Sequence, residues 1–304
     1  MSVVEVRPVL YAVFIVAILI ASLVGYYVGI STSVLSQYVV VVSTTTSLYQ
    51  IGVLDDLFSD FNNVTHINVR FNVLVKGSGE ALRLLADGSA CIGFVHAPSL
   101  ELQYLSQGLI ERLAVFGYNE FVLVGPREDP ANVSGAPNIT EAFKRIFSAG
   151  EEGLTRFVSR GDMSGTHVRE LQLWKLAGLD PNGRLWYLKS SQGMTQTLLM
   201  AENLGAYTLT DIGTYLKLTE TSKLKEIVVL VRDPLFLINV YSMYLSRAGS
   251  CDNPHTWYVA YKFREYLMSK GQELLASKYG GLINPVKGNE TLISQAWETL
   301  AALG

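Results

Sequence analysis

The run Ser159-Arg160-Gly161-Asp162-Met163-Ser164-Gly165-Thr166-His167 sets an arginine beside an aspartate, two glycines and small hydroxyl side chains. It follows a strand-like segment, Thr155 to Val158. It opens an amphipathic helical segment, His167 to Ala177. The start of a helix carries about half a positive charge and several unpaired N–H donors. Arg160 adds a full charge on a rigid five-donor fork. The chemistry suited to this set is capture of a small oxyanion.

Two more runs share that logic. The β-branched run Tyr38 to Val42 leads into Ser43-Thr44-Thr45-Thr46-Ser47, then into a helix-like segment with Ile51, Leu54, Leu57, Phe58 and Phe61 at helical spacing. Lys76-Gly77-Ser78-Gly79-Glu80 joins the strand Ile67–Val75 to the helix Ala81–Ala86. In open α/β sheets, ligands bind where such strand–loop–helix turns converge.

Each run also has a plainer reading. Ser and Thr are favoured N-caps of any helix, and Gly77 and Gly79 suit a tight turn. The Ser159–His167 run holds more than a cap needs. Asp162, Ser164 and His167 also invite comparison with a Ser-His-Asp triad. All three crowd one loop and one helical turn, whereas triad members come from separated elements within bonding reach. The sequence therefore points away from an enzyme.

The chain has 304 residues, 49% of them hydrophobic and 17% charged, with net charge −3. Nucleic acid as a partner needs a basic stripe, which this balance does not supply. An anion must be caught by a local site, not by the overall field. No zinc-type spacing occurs.

No charged residue lies between Arg7 and Asp55. A helix over Pro8–Ile30 rises about 34 Å, enough for a hydrocarbon core of roughly 30 Å. No A-x-A cleavage site follows, and no cysteine near its end offers a lipid anchor. The expectation is an uncleaved signal anchor at 8–30, with a cytoplasmic tail at 1–7 and a polar linker at 31–37. Arg7 places the short N-terminus inside, so the rest is extracytoplasmic on a single-pass membrane protein. Sequons at Asn63, Asn132, Asn138 and Asn289 agree weakly. Cys91 reads as a small buried residue in an apolar strand, and spacing alone does not pair it with Cys251.

Strand and helix signals alternate through the outer part, which predicts parallel sheets with covering helices. Phe116–Val124 and Asp233–Leu245 read as crossovers between two lobes. The expected division is lobe 1 from 38–118 plus 236–304, and lobe 2 from 119–235. A cleft between the lobes, gripped by helix N-termini, suits ligand closure.

Several motifs then match one family in order. They are Thr44-Thr45-Thr46-Ser47, Val95-His96-Ala97-Pro98, Asn119 to Pro126 and Ser159 to His167. Trp186-Tyr187-Leu188 with Gln192-Gly193-Met194, and Ala206 to Asp211, complete the set. From about Val39 onward the chain resembles the TupA-type tungstate-binding proteins of ABC importers. The resemblance implies an α/β two-lobed periplasmic-binding-protein-like (type II) fold, here behind an N-terminal transmembrane helix. It implies a solute-binding protein that delivers tungstate, or molybdate, to a permease and its ATPase, with no cofactor and no resident metal. Carried over by motif, the ligand-binding residues are Thr45, Thr46, Arg160, Ser164, Gly165 and Thr166. Ser78 is added by analogy with other oxyanion binders, and Gly193, Met194 and Thr195 by a shared motif. Phosphate or another oxyanion is the rival ligand. An anchored oxyanion sensor is the rival role.

Overall fold

The apolar run at Tyr38 continues through the threonines as one strand, β1 (Tyr38–Thr45). The computed structural model describes residues 6–34, 37–234 and 236–303, with side chains of 6–10 and 27–34 left aside. After β1, Gly52 adopts the left-handed region at φ 85° and splits the next helical stretch into α2 (Thr46–Ile51) and α3 (Val53–Thr65). Then follow β2 (Val69–Lys76), α4 (Ser78–Ala86), β3 (Ile92–Val95) and α5 (Pro98–Ser106). β1 pairs in parallel with both β2 and β3.

The strand β4 (Ile110–Pro126) is 17 residues long and runs out of this first lobe into the second. There the chain forms α6 (Ile139–Glu151), β5 (Phe157–Ser159), α7 (Gly165–Leu176) and β6 (Tyr187–Lys189). It goes on through α8 (Met194–Leu204), β7 (Thr208–Asp211), α9 (Ile212–Glu220) and β8 (Ile227–Val231). The strand β9 (Ile238–Ser246) returns to the first lobe, followed by α10 (Pro254–Leu267), α11 (Lys270–Lys278), β10 (Asn284–Pro285) and α12 (Glu290–Ala301).

The strand order is β10-β4-β9-β3-β1-β2, with β7 and β8 pairing with β4 beyond the point where it leaves the first lobe. The alternation predicted parallel sheets throughout, and the structure corrects this. β4 pairs antiparallel with β7, β8, β9 and β10, and β3 with β9. β4 carries the chain out and β9 brings it back alongside, so the two must run in opposite directions.

Each lobe has its own core. Phe58 stacks on Phe71 with ring centroids 4.1 Å apart, and Phe61 meets Phe263 at 5.1 Å, in a cluster closed by Phe94 and Phe116. In the second lobe, Phe121 and Leu123 of β4 enter one cluster with Phe143, Phe157 and Trp174. Val122 and Val124 enter another with Met194, Leu198 and Ile212. The two-residue period of a strand thus buries both faces of β4.

Cys91 and Cys251 form a disulfide, with Cα atoms 5.3 Å apart. Spacing alone leaves this pairing open, and the fold closes it. The pairing is set by β9 lying antiparallel on β3, with Ile92 opposite Leu245, across a separation of 160 residues.

Ahead of the lobes lies α1 (Val6–Val34), a 29-residue helix. It runs through the first part of the expected 31–37 linker, and residues 35 and 36 lie outside the described residues, as do 1–5 of the expected tail. Tyr11, Phe14, Ile15, Leu19 and Leu23 are each more than half exposed. Among the described residues no helix is long and apolar enough to cross a membrane.

Candidate oxyanion site

Both lobes present helix starts to the cleft. From the first come α2, after the Thr-rich end of β1, and α4, after Gly77. From the second come α7 and α8. The two sides meet. Gly79 N–H donates to Met163 O at 3.3 Å. A Cβ on Gly77 would stand 3.4 Å from Asp162 O, in van der Waals contact with the opposite loop. Arg160 Nη2 donates to Thr46 Oγ1 at 3.4 Å. Thr195 Oγ1 donates to Gln50 Oε1 at 3.0 Å, and Lys217 donates to Gln50 O.

Arg160 is 2% exposed and pairs with Asp162. The other oxygen of Asp162 accepts Ser164 N–H at 3.1 Å. The buried donors without a partner among the described residues include Arg160 Nε, Ser78 Oγ and Thr166 Oγ1. A buried donor left unbonded costs about 1–3 kcal/mol. Donors of this kind at the starts of α4 and α7, beside a guanidinium, suit a small polyoxygen anion.

The remaining expected residues divide. Thr45 caps α2, its Oγ1 accepting Leu48 N–H at 3.4 Å, and Ser164 caps α7, its Oγ accepting His167 N–H at 3.3 Å. These hydroxyls do the capping that the plainer reading assigned them, and each keeps a hydrogen to donate. Gly165 must be glycine, because a Cβ there would lie 2.7 Å from His96 O. Gly193 sits at the N-cap of α8 with no side-chain cap, while the Met194 side chain is wholly buried in the second lobe's core. Met194 can therefore offer only backbone to a ligand. Thr195 already bridges to Gln50.

A catalytic triad is absent from this loop. Asp162 faces Arg160, His167 Nδ1 accepts Met163 N–H at 2.9 Å, and Ser164 Oγ accepts a backbone donor. Among the described residues no cluster of His, Cys, Asp or Glu could hold a metal ion.

Sequence reasoning missed the polar layer beneath the site. His96 Nε2 bonds Ser47 Oγ at 3.1 Å, and its Nδ1 bonds Asn239 Oδ1 at 2.9 Å. Asn239 Nδ2 donates to Asn119 Oδ1 at 2.8 Å and to Tyr241 OH at 2.9 Å. Burial pushes His96 down to about 4, so the ring is neutral at physiological pH. Asp211, raised by burial, caps α9 through Thr214 N–H and Oγ1, both at 2.8 Å. A cavity of about 220 Å³ bounded by Gln50, Thr195, Thr214 and Lys217 opens beside the site. One of about 420 Å³ lies along the hinge by Tyr118, Glu120, Arg232 and Ile238, away from the unpartnered donors.

Residues 31–270 match the model of a PBP superfamily domain. The tungstate-binding protein TupA of Peptoclostridium acidaminophilum is 35% identical over 244 residues, covering 79% of this chain and 81% of that one. A proposed ABC transporter anion-binding protein of Haloferax volcanii is 41% identical over 175 residues, which are 57% of this chain; the match spans about half of the relative, 49%. The solved tungstate-binding protein TupA of Desulfovibrio alaskensis G20 superposes with a TM-score of 0.67 at 34% identity, covering 82% of this chain and 98% of that one.

Proposed function

This chain belongs to the PBP superfamily and, within it, to the TupA-type proteins, and we propose that it is an extracytoplasmic solute-binding protein that captures tungstate between its lobes for an ABC importer. It works as a binding protein and not as an enzyme. The ligand is the oxyanion itself, with no organic cofactor. The observation that carries the reading is that buried donors from both lobes, Arg160 Nε, Ser78 Oγ and Thr166 Oγ1, have no partner among the described residues.

Lobes of 38–118 plus 236–304 and of 119–235 close on the ligand about β4 and β9, and the strand order supports a type II arrangement. Arg160 supplies charge. Thr45, Thr46, Ser78, Ser164 and Thr166 supply hydroxyls, and Gly165, Gly193, Met194 and Thr195 supply helix-start N–H groups. A protonated anion such as hydrogen phosphate would reward a free acceptor. Asp162 is occupied by Arg160 and Ser164 N–H, which favours fully ionised tungstate or molybdate.

Thermal melts with tungstate, molybdate, sulfate and phosphate test this. Tungstate at about a hundred times its dissociation constant should add about 2.7 kcal/mol. Phosphate outranking tungstate would reject the ligand.

The chain is tethered through 8–30, supported by the uncharged stretch from Pro8 and the exposed apolar side chains at 11–26. A short tether would raise the local concentration of the cleft at its permease and ATPase. N-terminal sequencing of native protein tests this. A mature start between Ser22 and Tyr38 would make the segment a removed signal peptide.

A further inference from the structure

Arg169 lies one turn beyond Gly165 on α7. It is 4% exposed, and its Nε and Nη1 are buried without a partner among the described residues. Gly165, Arg169 and Gln172 share a helix face. Gly165 abuts His96, and Gln172 Nε2 donates to Ser99 Oγ at 3.0 Å. That face therefore looks across the cleft at His96 and the start of α5. Neither offers a negative charge. The His96 ring is neutral, and a helix start is itself positive.

The buried acids nearby are engaged elsewhere. Glu101 of α5 accepts from Ala97 N–H, Tyr244 OH and Trp297 Nε1. Glu170 accepts from Tyr187 OH and Trp174 Nε1. Asp162 is paired with Arg160, and Asp211 caps α9. Burial depresses His96 most, and the charges of Arg160 and Arg169 add to it. Burial lowers Arg169 to about 10, so it stays charged at neutral pH. With Arg160 balanced by Asp162, Arg169 is the positive charge left uncompensated, and burying such a charge is costly.

We propose that Arg169 is the charge-selecting residue of the cleft, a second guanidinium that makes the site prefer a tetrahedral dianion over a monoanion of similar size. This rests on the oxyanion reading above and deepens it. Arg160 and the hydroxyls recognise shape and oxygens. Arg169 supplies the net charge that a doubly charged anion needs and a singly charged one does not.

Perrhenate is a tetrahedral oxoanion close to tungstate in size but with one charge, so the pair isolates the effect. Isothermal titration of the full chain with both anions should favour tungstate. Arg169→Met should lower the tungstate-to-perrhenate affinity ratio roughly tenfold or more, by weakening tungstate. Arg169→Lys should keep most of the ratio, and the ligand-free Met variant should melt no lower than the parent. An unchanged ratio in Arg169→Met, or equal weakening of both anions, overturns the proposal while leaving the oxyanion site standing. A parent protein that binds neither anion overturns both. Arg169→Gln gives the same test if the Met variant does not fold. Failure of both to fold, with Arg169→Lys intact, would make the residue structural and overturn the proposal.

Discussion

Arg160 and Thr46, 114 residues apart, are joined across the cleft by a bond from Nη2 to Oγ1 at 3.4 Å. One partner is charged and rigid, the other a single neutral hydroxyl with others beside it. Hydrogen bonds to charged groups contribute about 1.5–3 kcal/mol and neutral ones about 0.5–1.5. Arg160→Ala should therefore weaken tungstate roughly 10- to 100-fold, and Thr46→Val by at most about tenfold. Arg160→Lys keeps the charge but loses the planar fork and should fall between. Calorimetry decides, and an Arg160→Ala protein binding like the parent would take Arg160 out of the site.

The Cys91–Cys251 bond ties the start of β3 to the turn before α10, within the first lobe and away from the unpartnered donors. A bond closing so long a loop contributes on the order of 2–5 kcal/mol, mainly by restricting the unfolded chain. The Cys91→Ala, Cys251→Ser double variant should melt on the order of 10 °C lower, with tungstate affinity within about twofold of the parent. Melts with and without reductant check the first part and titration the second. A reductant-insensitive parent would mean that the bond does not form.

How far the sequence reveals this molecule depends on the range of the forces involved. The three donor-rich turns are local: a β-branched strand, then hydroxyls and glycines, then a helix face, all within about fifteen residues. They were legible. The length of β4 was not. Only Phe116–Val124 read as an extended crossover, because the earlier half of β4 carries register shifts at Arg112/Ala114 and Val115/Gly117 that break the two-residue period. The polar layer was illegible for another reason. Asn119 and Asn239 face each other only because β4 and β9 pair, and His96 joins them from a third strand end. Arg169 looks like any charged residue of an amphipathic helix until the first lobe closes over it.

Glu170 is fully buried, and burial raises it from 4.5 to about 7 despite its donors Tyr187 and Trp174. Its raised value means that the fold holds the proton more tightly than the unfolded chain does. Stability from this group is present below about pH 4.5 and is lost as pH rises through about 7, on the order of 3 kcal/mol in all. Glu170→Gln removes the ionisable group. The variant should gain stability over the parent at pH 8 and little or none at pH 5. Denaturant melts at the two pH values measure this, and a larger gain at pH 5 would contradict the burial account.

Asn119 and Asn239 stand opposite one another where β4 and β9 run between the lobes, joined by Nδ2 to Oδ1 at 2.8 Å. Asn239 also bonds His96 through its Oδ1 and donates from Nδ2 to Tyr241 OH, and Asn119 Nδ2 donates to Leu282 O at 2.7 Å. The layer therefore couples the hinge strands to Ser47, next to Thr46 in the site. Asn239→Leu matches the volume but removes the shorter of two donors to Asn119 Oδ1 and leaves His96 Nδ1 without its partner, at a cost of about 1–3 kcal/mol. The variant should lose stability and also bind tungstate roughly tenfold more weakly, because the donors lose their fixed positions on closure. Asn119→Ala with Asn239→Ala should cost less than the two single changes added together, since each single change already breaks their shared bond. A double-mutant cycle by denaturant unfolding gives that coupling. Additive losses would mean that the two asparagines do not act as one unit at the hinge.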